Sequence, residues 1–316
     1  MTGVITRATP VPSPGLPGRV RIYEVGPRDG LQNEQGVIPV EVKEEFVRRL
    51  LAAGLPVVEA TSFVHPRWVP QLADAAELMS RLGDDGRDCP VLVPNERGLD
   101  RALELGLRHV AVFASATETF AAKNLNRTLE TQLEMFAPTV ERALAAGIDV
   151  RAYVSMCFGD PWEGPVAPEQ VVEVGQRLLA MGATELSLGD TIGVGTAGDT
   201  RRLIEVVGRD IDRSLLAGHF HDTYGQALAN ILVALQHGIS VIDSAAGGLG
   251  GCPYAAGASG NVATEDVVYM LNGMGVDCGV DINALVAAST QIFDHLNREP
   301  ASRTMRALLA KHHNVI

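Results

Sequence analysis

The sequence is short of positive charge: 26 Lys and Arg stand against 38 Asp and Glu, a formal charge of −12 over 316 residues. That deficit argues against nucleic acid or an anionic membrane surface as a partner, since both call for a basic face. It does not exclude an anionic small ligand, because one local basic site overrides the average. Cysteines are few. Cys89, Cys157, Cys252 and Cys278 include no C-x-x-C pair, which speaks against a disulfide framework or a zinc finger and for a reducing cytoplasm. Uninterrupted apolar runs are missing too. The uncharged stretch "TYGQALANILVALQHGISVI" is broken by Gln, Asn, His and Gly and makes a poor membrane span. The first 19 residues hold no apolar segment of the secretory kind. Their two arginines without an acid leave a transit-peptide reading open, while their prolines favour a short disordered extension over residues 1–19.

What is present is a soluble, core-rich pattern, 46% apolar with a mean hydropathy of +0.12. Short β-branched runs at 20–25, 57–63, 90–93, 109–114, 148–155, 184–189, 215–221 and 239–244 alternate with helical patterns. In "VEVKEEFVRRLLAAG" the apolar positions 42, 46, 47, 50 and 51 form one helical stripe, and Gly54 closes it. Five further segments repeat that design, several ending in glycine at the position where a left-handed residue terminates a helix. Eight strands alternating with helices predict an α/β fold, a (β/α)8 TIM barrel, which at roughly 250 residues folds as one domain. An open doubly wound sheet is the competing reading. The strand count and the absence of G-x-G-x-x-G after the first strand weigh against it. The barrel domain is expected over 20–297, including a glycine-rich loop at 247–261 and two C-terminal helical patterns that form a small extension, with a tail at 298–316.

Active sites of such barrels lie at the C-terminal strand ends. There the chain carries Arg28 and Asp29, Glu59 and Ser62, Ser155 and Cys157, Asp190 and Thr191, and His219, His221 and Asp222. Residues i and i+2 of a strand share a face, so His219 and His221 project together into the barrel mouth with Phe220 turned outward. Asp29 can add a carboxylate across the closure, and Asn261 an amide oxygen. Such an oxygen-leaning set suits Mg²⁺ or Mn²⁺, while imidazole ligation also permits Co²⁺ or Zn²⁺. Arg28 is either a fixed cation for a developing enolate or half of a structural ion pair with Glu59, and the two roles are compatible. "GGLGGCPYAAGASGN" matches no phosphate-binding motif. It reads as a lid whose Cys252 is a proton donor, a nucleophile or a small buried residue.

The stretches "EVGPRDGLQNE", "EATSFVHPRWVPQLAD", "LSLGDTIGVG", "GHFHDTYGQALAN" and "GGLGGCPYAAGASGNVATEDVVYML" resemble the 3-hydroxy-3-methylglutaryl-CoA lyases of the DRE-TIM metallolyase family, over residues 20 to about 297. The resemblance implies Arg28, Asp29 and Glu59 as the family's Arg, Asp and Glu. It implies Asp29, His219, His221 and Asn261 as ligands of a divalent metal, and Arg28, Asp190 and Cys252 as catalytic positions. His219 joins them as a candidate proton donor, and Gln32 is a candidate substrate contact beside Arg28. The implied reaction is a retro-Claisen cleavage of an acyl-CoA substrate, in a homodimer or larger homo-oligomer. Two departures stand out: "HFHD" where "HCHD" is frequent, and "SMCFGDPWE" at 155–163 in place of the "SCALGCPYEG" type, which bears on acyl preference. A lyase for a longer 3-hydroxy-3-alkylglutaryl-CoA, a Claisen-condensing acyltransferase and a non-catalytic acyl-CoA-binding protein are the rival functions.

Overall fold

The computed structural model describes residues 9–251 and 260–313. Its strands are β1 (Arg21–Glu24), β2 (Val57–Val58), β3 (Thr61–Ser62), β4 (Val91–Leu92), β5 (His109–Ser115), β6 (Asp149–Ser155), β7 (Gly159–Asp160), β8 (Gly164–Pro165), β9 (Glu185–Asp190), β10 (Leu216–Phe220) and β11 (Val241–Ser244). β7 and β8 form a small antiparallel pair. The other nine pair in parallel in the order β2-β1-β11-β10-β9-β6-β5-β4-β3. The two ends of that order, β2 and β3, are halves of one stretch of chain interrupted at Glu59 and Ala60. The Glu59 amide donates to the Glu24 carbonyl on one side (2.9 Å), and the Ala60 amide donates to the Pro90 carbonyl on the other (3.0 Å). The sheet therefore closes on itself as a barrel of eight strands, the second of them broken. An open doubly wound sheet would leave two free edges.

Around the sheet lie α1 (Val40–Ala52), α2 (Ala75–Leu82), α3 (Glu96–Glu104), α4 (Glu118–Leu125), α5 (Leu129–Ala145), α6 (Pro168–Met181), α7 (Ala197–Val207) and α8 (Ala227–Gln236). Their ends follow local chemistry. Asn95 accepts from the Gly98 amide at the start of α3 (3.1 Å), and Thr128 from the Thr131 amide at the start of α5 (3.2 Å). Gly54 and Gly182 take left-handed φ of 89° and 113° just beyond α1 and α6, which a side chain would resist. The main core fills the layer between sheet and helices. α1 buries Phe46, Val47 and Leu50 there, and Phe220 of β10 lies in the same layer, on the outward face expected for it.

Three further helices, α9 (Thr264–Gly273), α10 (Ile282–Leu296) and α11 (Arg303–His313), follow the barrel. α10 packs on α1, and α11 on α9. α11 occupies the stretch read as a tail, and its Met305 and Leu308 are buried. Within the extension expected to be disordered, residues 9–19 take backbone partners from this C-terminal part. The Val11 amide donates to the Gly273 carbonyl (2.9 Å), and the Asp277 amide to the Gly18 carbonyl (3.1 Å). Those partners lie more than 250 residues away in sequence, so local composition gives no sign of them. Among the described residues, no helix is long and apolar enough to cross a membrane.

Candidate active site

β1 ends in a single π-helical turn over Gly26–Gly30, in which the amides of Arg28, Asp29 and Gly30 all point at the Val25 carbonyl (3.2, 2.7 and 3.2 Å). Such turns recur at functional sites. The two glycines have steric causes. A Cβ on Gly26 would stand 2.6 Å from Glu24 Oε1, and one on Gly30 would stand 2.6 Å from the Leu249 side chain. The turn delivers Arg28 and Asp29 to the barrel mouth at different angles.

Arg28 is buried. Its Nε donates to Glu59 Oε2 (2.8 Å), one Nη donates to Asp29 Oδ1 (2.7 Å), and its guanidinium lies 5.0 Å from the Tyr153 ring centroid. The Tyr153 hydroxyl donates to the same Glu59 oxygen (2.8 Å). Burial raises the Glu59 carboxyl above its ordinary pKa despite the opposing pull of Arg28. Burial alone would raise Asp29 as well, but Arg28, His219 and His221 together hold it below the usual carboxylate range. Arg28 thus serves both carboxylates, so an ion pair with Glu59 and a second partner at the barrel mouth are compatible.

Asp29, His219 and His221 each offer a ligand atom, all within 4.8 Å of one another. The Asn261 side-chain amide donates to Asp29 Oδ2 (2.8 Å) and to the Leu249 carbonyl (3.2 Å), which leaves its oxygen as the group able to face a cation. His221 Nδ1 is buried without a protein partner, and a cation would satisfy it. Burial, followed by the neighbouring His219, lowers the His221 pKa to about 4 and keeps the ring in the neutral form that metals bind. The donor set therefore fits a divalent metal.

The other candidates fall at varied places. Gln32 donates to Asp29 Oδ1 (2.7 Å) and so holds a carboxylate. Asp190 ends β9, and its two oxygens accept from the Val194 and Gly195 amides (3.0 and 2.9 Å). Burial outweighs those bonds and lifts its pKa to about 6. Asp222 accepts from the Ala227 amide (3.0 Å) at the start of α8, and the Ser62 hydroxyl donates to the Leu92 carbonyl (3.2 Å), so both serve the backbone. Cys157 is buried with its thiol on the Val154 carbonyl (3.0 Å) and its pKa pushed up by burial. Cys252 lies outside the described residues. In the divergent segment, Phe158 packs on Phe220 (6.0 Å), and Asp160 accepts from the Thr117 hydroxyl (2.6 Å).

Polar residues absent from the strand-end inventory also line the barrel. Asp243 of β11 accepts from Arg151 of β6 through two bonds (2.6 and 3.1 Å) and from the Ser187 hydroxyl of β9 (2.7 Å). Burial alone would raise the Asp243 pKa, but Arg151 and His219 hold it well below the usual range. A charged residue inside an apolar strand, as in "SVIDS" and "IDVRAYVS", was the available signal.

Residues 19–292 match the family model described as HMGL-like. The chain is 54% identical over 297 residues to the mitochondrial hydroxymethylglutaryl-CoA lyase of Arabidopsis thaliana, covering 94% of this chain and 64% of that relative. It is 52% identical over 297 residues to the 3-hydroxy-3-isohexenylglutaryl-CoA/hydroxymethylglutaryl-CoA lyase of Pseudomonas aeruginosa, covering 94% of this chain and 99% of the relative. The crystal structure of hydroxymethylglutaryl-CoA lyase from Pseudomonas aeruginosa superposes with a TM-score of 0.92 at 52% identity, over 94% of this chain and 99% of that one.

Proposed function

Because the chain belongs to the HMGL-like family, we propose that it cleaves 3-hydroxy-3-methylglutaryl-CoA to acetyl-CoA and acetoacetate. The observation that carries this reading is the convergence of Arg28, Asp29, His219 and His221 at one barrel mouth. A divalent cation, Mg²⁺ or Mn²⁺, held by Asp29, His219, His221 and the Asn261 amide oxygen, would supply Lewis acidity to substrate oxygens.

The chain's own groups divide the remaining work. Asp29 is a weak base because three cationic or cation-forming neighbours depress it. Asp190, raised to about 6, is better matched to accept the proton of the tertiary hydroxyl. As that oxygen becomes a ketone, the bond to the thioester-bearing methylene breaks. Acetoacetate is released, and the electron pair moves onto the thioester carbonyl as an enolate. Arg28, oriented by Glu59 and Tyr153, stabilises the enolate oxygen without being able to protonate it. Cys252 returns a proton to the methylene carbon, giving the methyl group of acetyl-CoA; His219, engaged by Asp243 on one ring nitrogen and by the cation site on the other, is not free to do so. The free thiols of Cys89, Cys157 and Cys278 support a reducing, cytoplasmic setting.

The test is a product assay on the metal-loaded and EDTA-treated protein. Acetoacetate should form with Mg²⁺ or Mn²⁺, cease with EDTA and return when metal is restored. The printed isohexenyl substrate of the Pseudomonas relative motivates a second arm with a longer 3-alkyl homologue. Turnover of that homologue alone would reassign the substrate, and turnover of neither would overturn the reading.

A further inference from the structure

Barrel interiors are ordinarily filled by layers of Val, Ile and Leu. Here part of the interior is ionic. Asp243 faces His219 from the adjacent strand, in direct register, with Oδ2 3.2 Å from His219 Nδ1. Arg151 reaches Asp243 from β6 with a bidentate fork, and its guanidinium lies 3.8 Å from the Tyr23 ring centroid and 4.8 Å from that of Tyr153. Its third nitrogen, Nε, donates to Glu185 Oε1 (2.7 Å), and Glu185 in turn pairs with the half-exposed Arg21. A buried network of this kind is a poor source of stability compared with an apolar layer of the same volume, so its retention calls for another reason. It ends, at the barrel mouth, on His219.

We infer that Asp243 is the positioning residue for His219, fixing the imidazole as the Nδ1–H tautomer with Nε2 directed at the cation site. Asp243 is gripped by Arg151 and Ser187, so its carboxylate cannot turn away. An ionised carboxylate only accepts hydrogen bonds, so the proton on His219 must sit on Nδ1. The lone pair of Nε2 is then free for a metal, and the ring cannot rotate without breaking a buried charge-assisted bond. This inference rests on the reading of His219 as a metal ligand.

The test compares Mn²⁺ affinity, followed by electron paramagnetic resonance, in the full-length wild type and in Asp243→Asn. The asparagine keeps the shape, and its oxygen can still take Arg151. Its NH2 would then face His219 Nδ1 and favour the Nε2–H tautomer, which cannot ligate. A loss of about 10- to 100-fold in Mn²⁺ affinity is expected. Equal affinity in the two proteins would overturn the positioning role while leaving the metal site standing. Wild type that binds no Mn²⁺ would overturn the metal reading and this inference together. A second measurement does not depend on the variant folding: long-range ¹H–¹⁵N correlation on the metal-free wild type should show the His219 proton on Nδ1. A proton on Nε2 would overturn the proposal outright.

Discussion

At the residue scale the decisive group is Arg28. Its charge is divided between Glu59 and Asp29, and its ring neighbour Tyr153 limits its freedom. Arg28→Met should therefore lower kcat by about 10²- to 10³-fold, the usual cost of losing one donor to a developing oxyanion, while KM moves only a few-fold. Arg28→Lys keeps the charge but not the fork that engages both carboxylates, so it should fall between the two. Steady-state kinetics of both variants check this, and a Met variant with near-normal kcat would remove Arg28 from the chemistry. Much of this site was legible beforehand. A cation and an anion closing an apolar strand, and two histidines flanking Phe220, point to a barrel mouth once the strands are counted. The Arg151–Asp243 pair was not legible, because its members are 92 residues apart and meet only through the strand register of a closed sheet. Gln32 was placed near the substrate from its position in a motif, whereas the geometry of the turn aims its amide at Asp29.

At the scale of elements, the loop that begins after β11 is drawn together at a neck of glycines. Gly250 and Gly260 have φ of 131° and 82°, and a Cβ on Gly260 would lie 2.6 Å from both the Gly250 carbonyl carbon and the Gly251 nitrogen. Asn261 follows directly and contacts Asp29 (2.8 Å), so whatever spreads the neck moves a candidate metal ligand. Gly260→Ala should weaken Mn²⁺ binding by about 10-fold, in line with displaced outer partners of metal sites, and should lower kcat with it. Gly238→Ala is the control. Its φ of 90° imposes comparable backbone strain, but no atom lies within 4 Å of its Cβ, so stability alone should fall. Equal metal affinity in the two variants would show that the neck does not govern Asn261. Element positions were otherwise largely readable, since strand and helix periods differ. The exceptions have physical causes. α2 and α4 have eight residues each, about two turns, too few to establish a stripe, and the second barrel strand is divided at Glu59, where the side chain serves Arg28.

At the scale of the whole molecule, closure of the barrel and the footing of the C-terminal extension meet on a second buried carboxylate. Glu24, at the end of β1, accepts from the Gly26 amide (2.8 Å), the Ala246 amide beyond β11 (2.8 Å) and the Thr264 hydroxyl at the start of α9 (2.5 Å). Below it Glu265 accepts from the Gly247 amide through both oxygens (3.0 and 2.8 Å) and from the Ser289 hydroxyl of α10. One pair of acids thus fastens the strand carrying Arg28, the last strand and the extension into a single frame. Burial dominates the Glu24 pKa and raises it to about 8, against the three donors that pull it down. The consequence for stability has a definite sign. In the unfolded chain Glu24 loses its proton near its ordinary pKa of 4.5, while the folded protein retains that proton until about 8. The folded state therefore binds more protons between those values, and this group's contribution, full below pH 4.5, is lost as pH rises through 8. Glu24→Gln preserves the acceptor for the two amides and can donate to Thr264, and it has no proton to lose. Relative to the wild type it should gain stability steadily from pH 5 to pH 8, each unit of retained shift being worth about 1.4 kcal/mol. Denaturant melts of both proteins at pH 5 and pH 8 measure the difference, and a gap that does not change with pH would mean that Glu24 is ionised throughout in the native barrel.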